Sequence, residues 1–111
     1  MKLAEMSAEQ ILDVIEKRSD ALLVADEKAG IADADLKAWE AVTVMAYKDS
    51  GECKSVTEAE KRARASHEWF ERYMELQKAH ANSAKAKRDY QRAVIAQDLW
   101  RSEKATNRMV T

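Results

Sequence analysis

The chain has no proline, and its only two glycines in 111 residues are Gly30 and Gly51. Proline and glycine are what divide a chain into short elements and turns. Their near absence excludes a β-rich fold, which at this length needs several turns. It leaves long helices, in agreement with the abundance of Ala, Glu, Lys and Arg and the 35% charged residues.

Two stretches carry helix-start chemistry. Ser7-Ala8-Glu9-Gln10 reads as a capping box, in which Ser7 accepts from the Gln10 amide and the Gln10 side chain reaches back. Thr57-Glu58-Ala59-Glu60 reads as a second, with acids where the helix dipole favours them. Between them Lys48-Asp49-Ser50-Gly51 has the usual form of a helix end, a basic last turn followed by glycine. The expected architecture is one all-α domain spanning residues 1–111, a long antiparallel, coiled-coil-like helical hairpin. Its first helix covers about 8–48, its bend about 49–56 and its second helix about 57–107, without interruption. A break at Gly30 would divide the first helix in two.

Along the first helix small or apolar residues recur at 4-3 spacing: Ile11, Ile15, Leu22, Ala25, Ala29, Ala32, Leu36, Trp39, Thr43 and Ala46, with Arg18 as the exception. A bend centred between Glu52 and Cys53 makes facing residues sum to about 105. Ile11 then faces Val94, Ile15 faces Tyr90, Ala29 faces Leu76, Leu36 faces Trp69 and Trp39 faces Ser66, large against small. The layer of Arg18, Leu22 and Ala25 against Lys87, Ser83 and His80 is weaker, and is expected to be splayed, solvated or neutralised by nearby acids such as Glu16 or Asp20. Residues 1–49 carry six Lys/Arg and eleven Asp/Glu, whereas 50–111 carry thirteen and nine, so the arms attract. Within the arms, Asp13–Lys17, Asp33–Lys37, Glu58–Arg62, Glu60–Arg64 and Glu68–Arg72 have ion-pair spacing. Because much of the apolar content is alanine, the hairpin is expected to be completed by another copy of itself or by a helical protein partner.

Catalysis finds little to work with. Cys53 is the single cysteine, which excludes an intramolecular disulfide and a paired-cysteine metal or redox site. His67-Glu68-Trp69-Phe70-Glu71 begins like a zinc-protease helix but has glutamate where the second histidine belongs. His80 has no companion. No glycine-rich phosphate loop exists. The reading is a protein that is not an enzyme, with no catalytic residues, cofactor, metal or small-molecule substrate. No membrane segment or signal peptide is recognisable, which places the chain in the cytoplasm.

Two surfaces stand out. Trp39, Tyr47, Trp69, Phe70 and Tyr73 crowd the bend end as a candidate protein interface. Trp69 and Phe70 are adjacent, so either one points outward toward a second subunit or another protein, or both lie on a wide apolar face packing one neighbour. Lys78, Lys85, Lys87, Arg88, Tyr90 and Arg92, followed by Trp100 and Arg101, interleave cations with rings, as a single-strand nucleic-acid groove does. The competing explanation is that these cations neutralise the acidic first arm while Tyr90 and Trp100 anchor the helix pair.

The order of features resembles small, alanine- and charge-rich helical proteins of unknown function encoded by tailed phages and prophages, often near recombination genes. The residues that carry the likeness are Ala46-Tyr47-Lys48, Ser55-Val56-Thr57-Glu58-Ala59-Glu60-Lys61-Arg62-Ala63, Tyr73, Tyr90-Gln91-Arg92-Ala93 and Leu99-Trp100-Arg101-Ser102. It covers roughly residues 20–109 and implies an accessory protein in the host cytoplasm. Two functions remain: an oligomeric protein-interaction module, or a nucleic-acid-associated accessory factor for single strands or recombination.

Overall fold

The computed structural model describes residues 5–110, with side chains as far as Asn107. It is all-α: α1 (Ala8–Asp49), α2 (Val56–Arg64) and α3 (His67–Val110), with no strand among the described residues. Helix α1 turns back at the bend to run antiparallel to α2 and α3, the expected hairpin. The chain falls into two compact units, the described residues of Met1–Ala25 with Ser83–Thr111, and Asp26–Asn82.

Helix α1 begins as its sequence dictates. Ser7 N–H donates to Gln10 Oε1 (2.9 Å) and Gln10 N–H to Ser7 Oγ (3.2 Å), closing the capping box in both directions. The helix passes through Gly30 unbroken and ends at Gly51, whose φ of +79° lies in the left-handed region. That conformation lets Cys53 N–H reach the Tyr47 carbonyl (3.1 Å). The two glycines therefore predict opposite outcomes. A Cβ at Gly30 would meet nothing within 4 Å, so Gly30→Ala should stabilise the fold by about 1 kcal/mol. Gly51→Ala must hold alanine at positive φ and should cost about 1 kcal/mol. Urea unfolding midpoints moving in the same direction would contradict this.

The second start lies earlier than expected. Ser55, not Thr57, is the N-cap of α2, accepting from Glu58 N–H (3.1 Å) while Glu58 Oε2 accepts from Lys54 N–H (3.3 Å). Ser55 and Glu58 satisfy the same spacing as Thr57 and Glu60, and starting at Ser55 gives the bend its shortest closure. The expected uninterrupted helix is also corrected, because α2 stops at Arg64 and α3 starts at His67. Ser66 causes the stop. Its amide and its hydroxyl both donate to the Ala63 carbonyl (3.1 and 2.7 Å), and its Oγ then accepts from Trp69 N–H (3.2 Å). A serine side chain competing for backbone groups can end one helix and cap the next.

Most of the predicted seam is covered: Ile11, Ala29 and Leu36 are buried, and Ile15, Leu22, Ala25, Ala32, Trp39 and Thr43 half-buried. Ala46 is instead exposed, and Tyr47 turns inward. In the unit of the chain ends, Ile11 and Ala93 are buried, Trp100 Nε1–H donates to the Met6 carbonyl (2.8 Å), and Arg18 lies 4.0 Å from Asp89. Asp89 is thus the acid beside Arg18, in place of Glu16 or Asp20. Cross-helix pairs such as Met6–Trp100, Arg18–Asp89, Asp35–Arg72 and Trp39–Glu68 have numbers summing to about 107. The register is two residues from the expected one.

Candidate interaction site beside the bend

In the unit Asp26–Asn82 the break at Ser66 redirects the chain so that two Trp–Glu dipeptides clasp each other. Trp39 and Glu40 are consecutive on α1, and Glu68 and Trp69 are consecutive on α3. Trp39 Nε1–H donates to Glu68 Oε2 (3.1 Å), and Trp69 Nε1–H donates to Glu40 Oε1 (2.6 Å). Each indole thus carries its ring into the helix interface and satisfies its N–H on the opposite helix. Glu40 Oε1 also accepts from Arg64 Nε (3.1 Å), the last residue of α2. Tyr73, one turn after Trp69, stacks on it at 4.9 Å and 11°. Arg72 donates to Asp35 (2.6 Å) and lies 5.8 Å over the Trp39 ring.

These contacts correct the ion pairs expected within the second arm. Arg62, Arg64 and Arg72 turn from Glu58, Glu60 and Glu68 to Glu52, Glu40 and Asp35. Pairs one helical turn apart contribute only a few tenths of a kcal/mol, so a partner with better geometry on another element outcompetes them. In α1, where no such alternative intervenes, Asp13–Lys17 (3.0 Å) and Asp33–Lys37 (2.9 Å) form as expected.

At the bend, Cys53 is buried and Arg62 lies 4.9 Å over the Tyr47 ring, 3.2 Å from Glu52. A hydrogen bond to the Cys53 side chain, then the Glu52 carboxylate, hold the Arg62 guanidinium above its ordinary pKa, so it stays charged. Of the five aromatics expected at this end, Trp39, Tyr47 and Trp69 are half-buried, while Phe70 and Tyr73 are exposed. Phe70 is 53% exposed, so of the adjacent rings it is Phe70 that faces outward. A groove of about 570 Å³ opens between α1 and α2, floored by Ala41, Val44, Met45 and Val56.

The basic tract divides differently. Lys78, Lys85, Lys87, Arg88, Arg92 and Arg101 are exposed, and Lys85 pairs with Asp89 (3.4 Å). Tyr90 and Trp100 are half-buried, and the Trp100 N–H is occupied by Met6. Cations thus face outward and rings inward, which separates the two parts of a stacking groove. Lys104 lies 5.7 Å over Trp100.

Sequence reading missed a second apolar stripe on α1. Ile31, Val42 and Met45 are 63, 71 and 63% exposed, and each stands one residue before a seam position, Ala32, Thr43 and Ala46. His67 donates to Glu71 at 2.9 Å on an exposed face. Among the described residues no group of His, Cys, Asp and Glu could hold a metal ion, and no helix is long and apolar enough to cross a membrane. No protein-family model matches the chain, and no curated protein or solved structure matches it.

Proposed function

We propose that this is a non-enzymatic accessory protein of the phage or prophage type that works in the host cytoplasm as an oligomeric helical protein-interaction module. The observation that carries this reading is an imbalance of apolar surface. Among the described residues eight side chains are buried, four of them alanine and one cysteine, whereas thirteen large apolar side chains are exposed. Burial of apolar surface is the main driving force of folding and association, and so much uncovered surface favours a partner. The trait resembles the phage-encoded helical proteins in composition and feature order, which supplies the biological setting of the proposal.

Light scattering on the full chain tests it. The expected result is a mass above 12.6 kDa that persists as salt rises, since apolar association is not screened. A monomer at every concentration would overturn self-association.

A second reading, an accessory factor bound to nucleic acid, is favoured by one observation. Lys78, Lys87, Arg88, Arg92 and Arg101 are exposed and form no salt bridge among the described residues. It predicts binding of a fluorescent single-stranded oligonucleotide at low salt, lost steeply as salt rises and lost on changing Lys85, Lys87 and Arg88 to glutamate. The inward turn of Tyr90 and Trp100 places this reading second.

A further inference from the structure

We infer that a groove between α1 and α3 binds the phosphate backbone of a double-stranded nucleic acid through Arg18, Lys85, Arg88 and Arg92, with Asp89 as an internal competitor. The inference rests on the nucleic-acid reading and names its surface and the form of its partner. All five residues lie in the unit of the chain ends.

The groove encloses about 280 Å³ and is lined by Val14 and Arg18 of α1 and by Asp89, Arg92 and Ala93 of α3. Arg18 and Arg92 thus enter one concavity from opposite helices. Lys85, Arg88 and Arg92 stand at i, i+3 and i+7 on one face of α3, so the cations continue beyond the groove for about two turns. Asp89 cannot satisfy them all. Its half-buried carboxylate lies 4.0 Å from Arg18 and 3.4 Å from Lys85, both longer than an ordinary charge-assisted hydrogen bond. Arg88 and Arg92 are exposed and form no salt bridge among the described residues. A phosphate in the groove can take both guanidinium forks, whose planar geometry matches its oxygens, and leave Asp89 to Lys85.

The rings decide the form of the partner. Tyr90 and Trp100, the aromatic residues of this unit, are half-buried, and the Trp100 N–H is taken by the Met6 carbonyl. Unstacked bases find no exposed ring beside these cations, so a single strand forfeits the stacking that ordinarily holds it. What the face offers is charge alone. A duplex carries about twice as many phosphates per unit length as one strand, and therefore gains more from such a face. Contacts confined to the backbone carry no sequence information, so the partner is bound without regard to sequence.

Fluorescence anisotropy on the full chain tests this, with a labelled mixed-sequence DNA duplex and one of its strands as probes. At low salt the duplex should bind at least as tightly as the strand, and scrambling its sequence should change nothing. Arg18→Gln and Arg92→Gln should each weaken duplex binding about tenfold, and the slope of log affinity against log salt should fall by about one. Asp89→Asn should tighten it about tenfold, because the cations it engages are released. Asp98→Asn removes the same charge from an exposed site further along α3 and should leave affinity within about twofold. Arg92 forms no ion pair in the fold, so its variant tests the groove even where Arg18→Gln loses the helical circular dichroism of the parent. Binding that ignores Arg92→Gln and Asp89→Asn, or that favours the single strand about tenfold, would overturn this site and leave the nucleic-acid reading standing. Displacement of the duplex by polyglutamate at equal charge would overturn it in favour of an acidic protein. A parent that binds neither probe at low salt would overturn both the site and the reading.

Discussion

Trp69→Ala should lower the free energy of unfolding by about 3 kcal/mol, a loss of more than about 10 °C in melting temperature for a chain of this size. Three losses combine. The half-buried indole leaves a void between α1 and α3, and Tyr73 loses its stacking partner at 4.9 Å. Glu40 keeps Arg64 but loses the 2.6 Å bond from the indole N–H. Trp69→Phe separates these contributions, because it retains an aromatic ring beside Tyr73 and removes only the donor and part of the volume. It should cost about 1 kcal/mol, the ordinary worth of one hydrogen bond. Denaturant unfolding followed by circular dichroism gives both values. Near-equal effects of alanine and phenylalanine would mean that the Glu40 bond, not the ring, holds the clasp.

What the sequence disclosed and what it concealed divide along physical lines. The helices, the bend at Gly51 and the seam from Ile11 to Thr43 were legible, because absent punctuation and 4-3 periodicity are local properties of the chain. The cap at Ser7 was legible for the same reason. The interruption at Ser66 was not. Nothing in Ala65-Ser66-His67 departs from a helix-compatible sequence, and the serine acts as a stop only because its hydroxyl takes the Ala63 carbonyl. The choice of Ser55 over Thr57 likewise depends on how the bend closes. Arg62, Arg64 and Arg72 found partners that spacing along one helix cannot reveal, since those partners lie on other elements. Of the site, the adjacency of Trp69 and Phe70 left open one outward ring or a wide shared face, and sequence could not say which ring would turn outward. The stripe of Ile31, Val42 and Met45 was written in the same periodicity as the seam and was overlooked beside it.

Ala59→Leu should cost about 2–3 kcal/mol, the upper range for overpacking a well-filled site. Among the described residues Ala59 and Ala63 are the two with no exposed surface, and both belong to α2. A nine-residue helix is too short to persist by its own hydrogen bonds, so α2 depends on contact with its neighbours. Its polar attachments, Arg62 to Glu52 and Arg64 to Glu40, are largely solvent-exposed pairs of small individual worth. Close approach through two alanines is therefore what seats the helix. Leucine at 59, which does not line the groove, has no free volume to enter and must displace α2 outward, taking Arg64 from Glu40. The same substitution at exposed Ala41, across the groove on α1, has room and should be nearly neutral. Hydrogen exchange locates the damage: amides of Val56–Arg64 should lose protection first in Ala59→Leu, ahead of those in α3. Uniform loss across all three helices would instead mean that α2 unfolds only with the whole.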